Sequence, residues 1–330
     1  MGLRVKLSVK TKLAVLFLAT ILFVAVVVVL LQLSNPVSEE QTTAEVALAF
    51  IKDVARIDIA KYQVNLTGHN TRNDMHGGLP TEMFKYTLES ETSKLNAIID
   101  FLNGTFRQYT LYIDEGAPFY TKPVATVLDE AKGTFERFHR FSGISYPADM
   151  RNLLDSLSPS TTNTTLESNN LKLTVSVIGT NTYISLFHME NGIDYLWKGV
   201  SMTFENRNLK AFGNGWSLYA VGNSNPSVSR EDAVKTAIEA AQNYKLNITL
   251  GPNNTVQPAF TIDTENIILE LASAEREPLT LQLLWTTHLY LEKPVYSTYA
   301  FVVSQWADSR EIRYISPISG GVTFPPEDQP

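Results

Sequence analysis

The sequence predicts an α+β protein in which an N-terminal transmembrane helix precedes antiparallel sheets covered by helices. Three observations predict this class. The run Leu13–Leu33 is almost wholly apolar. Short stretches that alternate apolar and polar residues follow it, separated by turn residues such as Asn103 and Gly104. Capping patterns begin two amphipathic segments, at Thr42 and at Ser229.

The run Leu13–Leu33 has the length and composition of a membrane-spanning helix. As a helix it would extend about 31 Å, close to the thickness of a bilayer hydrocarbon core. The charged residues before it are all basic, and Glu39 and Glu40 follow it, so the positive-inside rule places residues 1–12 in the cytoplasm. We therefore expect a single-pass cell-membrane protein whose bulk is extracytoplasmic. The alternative, a cleaved signal peptide, usually has a shorter apolar core and a small-residue cleavage site.

Composition limits the classes of partner and chemistry. The 330 residues carry a net charge of -7, and without a basic cluster this charge argues against nucleic acid as a partner. The chain has no cysteine, which excludes disulfides, a thiolate nucleophile and cysteine-bound zinc. An exterior domain without disulfides is more typical of a prokaryote than of a eukaryote.

Glycosylation sequons lie at several places beyond the predicted anchor. Their asparagines are Asn65, Asn103, Asn163, Asn247 and Asn253. Each match is common by chance, so each asparagine is a candidate for glycosylation only. Archaea carry out this modification more generally than bacteria, and the pattern favours a glycosylated archaeal surface protein.

Region 34–222 is predicted to open with a polar stem and a helix from Thr42, where Glu45 completes a capping box. A strand at Tyr62–Thr67 and a polar loop at His69–Pro80 follow. Three further strands are expected at Met83–Glu89, Leu95–Phe101 and Phe106–Ile113.

The second half of this region is predicted to contain two helices, Val124–Phe141 and Ala148–Leu157. The polar low-complexity segment Ser158–Asn170 then marks a possible sub-boundary, at 158–170. An antiparallel meander is expected over Leu171–Ile178, Thr182–His188, Leu196–Glu205 and Leu209–Val221.

Region 223–330 is predicted to be a separate α+β domain with a helix at Ser229–Asn243 and a disordered Pro-rich tail at Thr323–Pro330. Its strands are expected at Lys245–Leu250, Asn266–Leu271, Leu281–Leu291, Ser297–Trp306 and Glu311–Ser316.

A capped helix followed by a similar strand occurs twice in the chain. Tyr62–Thr67 reads Tyr-Gln-Val-Asn-Leu-Thr, and Tyr244–Thr249 reads Tyr-Lys-Leu-Asn-Ile-Thr. The spacing predicts an internal structural repeat. The alternative is that two ordinary helix–strand junctions coincide.

The segment Ser229–Ala241, Ser-Arg-Glu-Asp-Ala-Val-Lys-Thr-Ala-Ile-Glu-Ala-Ala, resembles the start of a PepSY domain, which opens with S-x-E-x-A-x-x-x-A. Trp285 lies on a late predicted strand, and Phe301–Ile312 is similar to the terminal hairpin of that family. Arg310 departs from the pattern, since the family usually has Gly there. Membrane-anchored archaeal exterior proteins look similar overall.

The resemblance implies small helix-on-sheet modules that carry no catalytic residues and are proposed to bind or inhibit peptidases. We therefore expect a membrane-anchored, non-catalytic binding module that engages an exterior peptidase, peptide or envelope protein. The alternatives are a structural envelope or stalk component, and a hydrolase whose residues one sequence does not reveal. We expect no catalytic, cofactor-binding or metal-binding residues.

Two groups of side chains suggest other chemistry. His69, Asp74 and His76 could hold a metal, but their spacing fits no standard site and a solvated loop is the simpler interpretation. His139 lies among phenylalanines in a segment expected to pack in the core, and His188 and His288 are expected to face outward on strands. The tryptophans are expected mostly in the core, although an exposed pair could stack on a peptide or a sugar. They are Trp197, Trp216, Trp285 and Trp306.

Overall fold

The computed structural model describes residues 42–122, 126–158, 162–251 and 254–320. Contacts divide the chain between Val46 and Ala47 into two units. The described part of the first unit, Thr42–Val46, contains the capped first turn of a helix. The rest of the described chain belongs to the second unit. The predicted anchor Leu13–Leu33 and the predicted tail Thr323–Pro330 lie outside the described residues.

The described chain contains four α-helices: α1 (Thr43–Ala49), which a π-helical turn at Phe50–Val54 extends, α2 (Val127–Ser142), α3 (Ala148–Asp155) and α4 (Arg230–Gln242).

The strands of the first half are β1 (Gln63–Arg72), β2 (Thr81–Glu89), β3 (Lys94–Leu102), β4 (Thr105–Glu115), β5 (Thr164–Ser168), β6 (Leu171–Ile178), β7 (Asn181–Glu190), β8 (Ile193–Glu205) and β9 (Asn208–Asn214). Those of the second half are β10 (Ala220–Val221), β11 (Ile248–Gly251), β12 (Asn254–Val256), β13 (Ile262–Glu277), β14 (Thr280–Val295), β15 (Thr298–Trp306) and β16 (Ile312–Ser319).

The predicted class, an α+β protein with antiparallel sheets covered by helices, is wrong. Strands dominate the described chain, and nine of them form one antiparallel sheet in the order β1-β2-β3-β4-β9-β8-β7-β6-β5. The physical reason is size. At about 4.8 Å per strand such a sheet is roughly 40 Å wide, whereas one helix covers about 10 Å. Helices as short as those described cannot cover it.

Two meanders join to make the nine-stranded sheet. Strands β1–β4 run in chain order, β5–β9 run in the reverse order, and β4 pairs with β9. The junction is short: Gln108 faces Gly213, Tyr109 faces Phe212 and Thr110 faces Ala211. Because this pairing continues one sheet across both meanders, the predicted sub-boundary at 158–170 contains an edge strand, β5, of that single sheet. The domain boundaries themselves stay a prediction.

Two adjacent rows of cross-strand neighbours define the faces of this sheet, because successive side chains on a strand point to opposite faces. One row is apolar and buried along the sheet: Phe84, Ile99, Tyr109, Phe212, Met202, Ile184 and Val175. The next row lies on the open face: Asn70, Met83, Asp100, Gln108, Gly213, Ser201, Ser185, Thr174 and Thr165. The sheet therefore has one packed face and one solvated face.

Aromatic side chains seal the packed face where the two meanders meet. The rings of Phe50 and Phe106 stack at 4.3 Å between centroids, and Phe138 of α2 lies 4.5 Å from Phe212 of β9. Phe50 and Phe138 are fully buried. These contacts connect α1, α2 and both halves of the sheet, so they stabilise the junction that the short β4–β9 pairing alone would leave weak.

The second large sheet has five strands, in the order β10-β14-β15-β16 with β13 paired to β14. Helix α4 approaches it closely because Ala233, Ala237 and Ala241 are fully buried. Two side chains of the sheet donate to backbone carbonyls on or beside the helix: Trp285 Nε1 to Val228 at 3.0 Å and Gln305 Nε2 to Ala233 at 2.8 Å.

The two predicted caps form, but the predicted repeat does not extend into equivalent strands. The Glu45 N–H donates to Thr42 Oγ1 at 3.3 Å, and the Asp232 N–H donates to Ser229 Oγ at 3.1 Å. Strand β1 then enters the nine-stranded sheet, whereas β11 pairs only with β12 in a separate two-stranded ribbon. The first cap is a reciprocal capping box, because the Thr42 N–H donates to Glu45 Oε2 at 2.9 Å, whereas Asp232 Oδ2 accepts from Arg310. The tertiary surroundings of the strands differ as well.

The helices of the structure do not agree with the predicted localisation in the cell membrane. Across the described ranges, none of them is long and apolar enough to cross a membrane. This finding contradicts the prediction of a single-pass cell-membrane protein.

Strand β5 lies in the segment predicted to be a polar linker, and β1 continues to Arg72 through residues predicted to be loop. Both are edge strands of the nine-stranded sheet. An edge strand pairs on one side only and can be polar on both faces, so hydrophobic alternation does not reveal it.

Candidate functional site

A groove of about 700 Å³ lies on the open face of the nine-stranded sheet. Its floor is a run of small or polar cross-strand neighbours, from Gln108 through Gly213, Ser201 and Ser185 to Thr174 and Thr165. Because these side chains are short, a bound chain could approach the sheet surface closely. Other lining residues beside this floor form the walls of the groove.

A bulge in β8 makes the apolar wall. Tyr195 pairs with His188 and Gly199 pairs with Phe187, so the three residues from Leu196 to Lys198 have no cross-strand partner on β7. Bulges of this kind redirect side chains near binding sites. Here Leu196 is 63% exposed and Trp197 is 53% exposed, and both line the groove.

Glycines allow this bulge to close. The N–H groups of Gly215 and Trp216 both donate to the Gly199 carbonyl, at 2.7 and 3.0 Å. A Cβ atom on Gly215 would lie 1.8 Å from the carbonyl oxygen of Trp197. Only glycine permits that approach, so the position of the apolar wall depends on a backbone contact.

The side chain of Lys198 stabilises the bulge. Its Nζ donates to the carbonyls of Tyr219 at 2.6 Å and Trp216 at 3.1 Å, and it lies 5.0 Å from the Trp216 ring centroid. Burial lowers the pKa of Lys198. The Tyr219 ring lies 5.7 Å from the Trp197 ring and continues the wall. Burial raises the pKa of Tyr219 to about 12, so its hydroxyl stays protonated at neutral pH.

Charged side chains also line the groove. Lys172 Nζ is 3.0 Å from the carboxylate of Asp194, and this hydrogen bond raises the pKa of Lys172. The half-buried Arg107 lies on β4 beside the floor. The groove thus offers an apolar wall, a polar floor and both signs of charge.

The lining does not have the parts of a hydrolytic site. The hydroxyls of Ser185 and Ser201 would need a neighbouring base, and the residues that line the groove include no histidine. The amine of Lys172 could act as a base only when neutral, and Lys172 forms an ion pair with Asp194. Within the described residues, no group of three His, Asp or Glu side chains could hold a metal ion. What the lining offers a ligand is hydrogen-bonding groups, charges of both signs and an apolar wall.

The four glycosylation candidates that the structure describes do not line the groove. Asn65 is exposed on β1, Asn103 occupies the β3–β4 turn with φ 49°, and both Asn163 and Asn247 are exposed. Asn163 Oδ1 accepts from the Val177 N–H at 2.7 Å, and Asn247 Oδ1 accepts from Gln257 Nε2 at 2.8 Å. Asn253 lies outside the described residues. Glycosylation at these positions stays a prediction.

The histidines weighed as metal ligands have other partners. The His69 ring stacks on Phe84 at 4.5 Å, while His76 contacts Glu275 in the second sheet. His139 is exposed although its neighbours Phe135 and Phe138 are buried.

Of the four tryptophans, Trp285 and Trp306 are buried as expected, Trp216 is half-buried, and only Trp197 is exposed. The aromatic side chains on the groove wall are therefore the exposed Trp197 and the buried Tyr219, rather than an exposed pair of tryptophans. Sequence reasoning did not find the groove. The available signal was the unbroken bulky run Tyr195-Leu196-Trp197 within a strand, which breaks the period of two and marks a bulge.

The comparisons with known proteins found similarity to solved structures only. No known protein-family profile matches the chain, and no curated protein matches it. Among solved structures, the chain is similar to the C-terminal domain of YpeB from Bacillus megaterium, at 11% sequence identity and a TM-score of 0.32, over 85% of this chain and 99% of that one. This is a likeness of fold at a low score, so it carries no argument about function. The PepSY resemblance and the archaeal origin stay predictions.

Proposed function

We propose that this protein is a non-catalytic binding module that holds an extended polypeptide segment of a partner in the groove. One observation carries the proposal: the exposed wall of Leu196 and Trp197 stands over a floor of small polar residues on an otherwise continuous sheet. Exposed apolar side chains beside convergent polar groups are typical of binding sites. A peptidase or an envelope protein is the kind of partner that would offer such a segment.

The dimensions suit a short peptide. The floor crosses six neighbouring strands from β4 to β5, and the five spacings between them, at about 4.8 Å each, add up to roughly 24 Å. An extended chain of about seven residues has this length. Its apolar side chains would pack on Leu196, Trp197 and Tyr219, and its backbone would meet the hydroxyls of Ser185 and Ser201.

A polypeptide fits the groove better than a neutral glycan does. Trp197 could stack on a sugar, but Leu196 and Leu218 widen the wall into an aliphatic surface that suits an amino-acid side chain. The groove also contains Arg107, Lys172 and Asp194, and a neutral glycan would desolvate these charges without matching them.

The test is selection from a displayed library of random dodecapeptides with free carboxyl termini, performed on the wild-type protein and on Ser201→Trp. Ser201 is exposed at the centre of the floor, so the tryptophan fills the groove without entering the packed face. The matched control is Ser176→Trp. Ser176 lies on β6, on the same face of the sheet as Ser201, but it does not line the groove. Thermal melting confirms that both variants fold.

We expect peptides that bind the wild type and Ser176→Trp with micromolar affinity and lose at least tenfold on Ser201→Trp. If no peptide shows this dependence, the proposal is wrong. A glycan array is probed in parallel. Glycan binding that Ser201→Trp abolishes would show that the ligand is a carbohydrate rather than a polypeptide.

A further inference from the structure

We infer that the groove recognises a carboxylate through Arg107, beside an apolar side chain of the same ligand that packs on Leu196 and Trp197. The inference rests on the proposed function and gives it a ligand class: an acidic polypeptide segment. Both a chain's C-terminal carboxylate and an Asp or Glu side chain present this group.

A bulge in β4 places Arg107 in the groove. Asp100 faces Gln108 and Phe101 faces Phe106, so Arg107 between them has no cross-strand partner. The bulge adds one residue to β4, which shifts the register with β3 by one residue, and pairing continues on both sides of it. Gln108 continues the floor row and Phe106 continues the buried face, while Arg107 lines the groove. The bulges of β4 and β8 thus place one cation and one apolar wall at the same groove.

Arg107 differs from the other cations of the site. Lys172 is paired with Asp194, and Lys198 donates to two carbonyls. Within the described ranges, the guanidinium of Arg107 has neither a hydrogen bond nor a carboxylate within 4 Å. Asp100 feels its charge at longer range, yet burial has the larger effect on Asp100 and raises its pKa. Arg107 is half-buried and lines the groove, so its guanidinium has donors that no described side chain uses.

The chemistry of guanidinium selects the ligand group. Arginine presents a planar set of N–H donors that matches the two oxygens of a carboxylate, and such charge-assisted pairs are stronger than neutral hydrogen bonds. The low polarity of the nearby wall of Leu196 and Trp197 strengthens the pair, because less water competes for it. A ligand with a carboxylate next to an apolar residue satisfies both features at once.

The test uses the groove-dependent peptides selected from the dodecapeptide library, resynthesised in matched versions. One version has a C-terminal amide, and the others replace each Glu by Gln and each Asp by Asn in turn. Affinity is measured by isothermal titration calorimetry for the wild type, Arg107→Gln and Arg107→Lys. Arg72→Gln is the control, because Arg72 is exposed on the edge strand β1, away from the groove.

We expect neutralising one carboxylate to weaken wild-type binding at least tenfold, in line with the strength of charged hydrogen bonds. The same change should have little further effect on Arg107→Gln, whose affinity for the acidic peptide is already reduced. Arg107→Lys should keep part of the affinity and Arg72→Gln all of it. Whether the amide version or a side-chain version loses affinity identifies the source of the carboxylate.

Two results would overturn the inference while leaving the binding module intact: selected peptides that tolerate every neutralisation, or Arg107→Gln binding as tightly as the wild type. Failure of the library to give any Ser201-dependent peptide is a separate outcome. It contradicts the proposed function itself, and the carboxylate inference fails with it.

Discussion

The imidazole Nδ1 of His76 lies 2.8 Å from a carboxylate oxygen of Glu275, and this contact joins the two large sheets. His76 belongs to the loop between β1 and β2, and Glu275 lies near the end of β13. Both side chains are nearly buried. The other carboxylate oxygen accepts from the Leu279 N–H at 2.8 Å, within a turn where Leu279 has φ 59°. One side chain therefore supports a left-handed turn residue and a contact between sheets.

Removing this carboxylate should destabilise the protein. Glu275→Ala leaves the Leu279 N–H and the buried His76 ring without their acceptor, and we expect a loss of about 2–3 kcal/mol in the free energy of unfolding. Chemical denaturation monitored by tryptophan fluorescence measures it. The control Glu277→Ala changes an exposed glutamate two residues away and should cost less than about 0.5 kcal/mol. Equal effects of the two substitutions would contradict a structural role for the His76–Glu275 contact.

Gly215 should tolerate no side chain, whereas Gly213 should tolerate a methyl group. A Cβ atom on Gly215 would overlap the backbone oxygen of Trp197, so Gly215→Ala must displace the β8 bulge. On Gly213 it would meet only the Ser201 hydroxyl, at 2.6 Å, and that group can rotate away.

We expect Gly215→Ala to lower the free energy of unfolding by about 2 kcal/mol or more and to reduce the affinity of the groove-dependent peptides. Gly213→Ala should change stability by less than about 1 kcal/mol. Thermal melts and peptide titration of the two variants measure both effects. A Gly215→Ala protein with wild-type stability and affinity would show that the bulge does not depend on this contact.

Asp100 should make stability depend on pH in the acidic range. Burial raises the pKa of Asp100 above its ordinary value, and the charge of Arg107 opposes this effect. A raised carboxyl pKa means that the folded state binds the proton more tightly than the unfolded state. Stability is therefore lost as the pH rises from the ordinary value through the raised one.

The variant Asp100→Asn removes that titration. It should be more stable than the wild type at pH 7, by at most about 1 kcal/mol because solvent screens the partly exposed group. The gain should disappear as the pH falls below the ordinary carboxyl pKa, where Asp100 is protonated in both states. Urea denaturation at several pH values measures this difference. Asp53→Asn, at an exposed helical position, is the control and should show no such trend.

Much of the local structure follows from short sequence patterns. The caps at Thr42 and Ser229 form, and the Asn103-Gly104 turn joins β3 to β4. Arg310, which replaces the usual glycine of the PepSY pattern, adopts φ 57° and contacts Asp232 on α4 at 2.7 Å. This turn therefore places a non-glycine residue in the left-handed region that glycine favours.

The sequence by itself determined the turns, the helix caps and which residues alternate between two faces, because these depend on hydrogen bonds and side-chain periods within a few residues. The tertiary structure alone decided that β4 pairs with β9, and hence that two meanders form one sheet. Asn214 Nδ2 donates to the Phe106 carbonyl at 3.1 Å across this junction, between residues far apart in the chain. No local pattern records which strand edges will meet. The two bulges form within separate meanders, against β3 and β7, but the pairing of β4 with β9 brings Arg107 and Trp197 to one groove. The candidate site therefore became visible only in the folded chain.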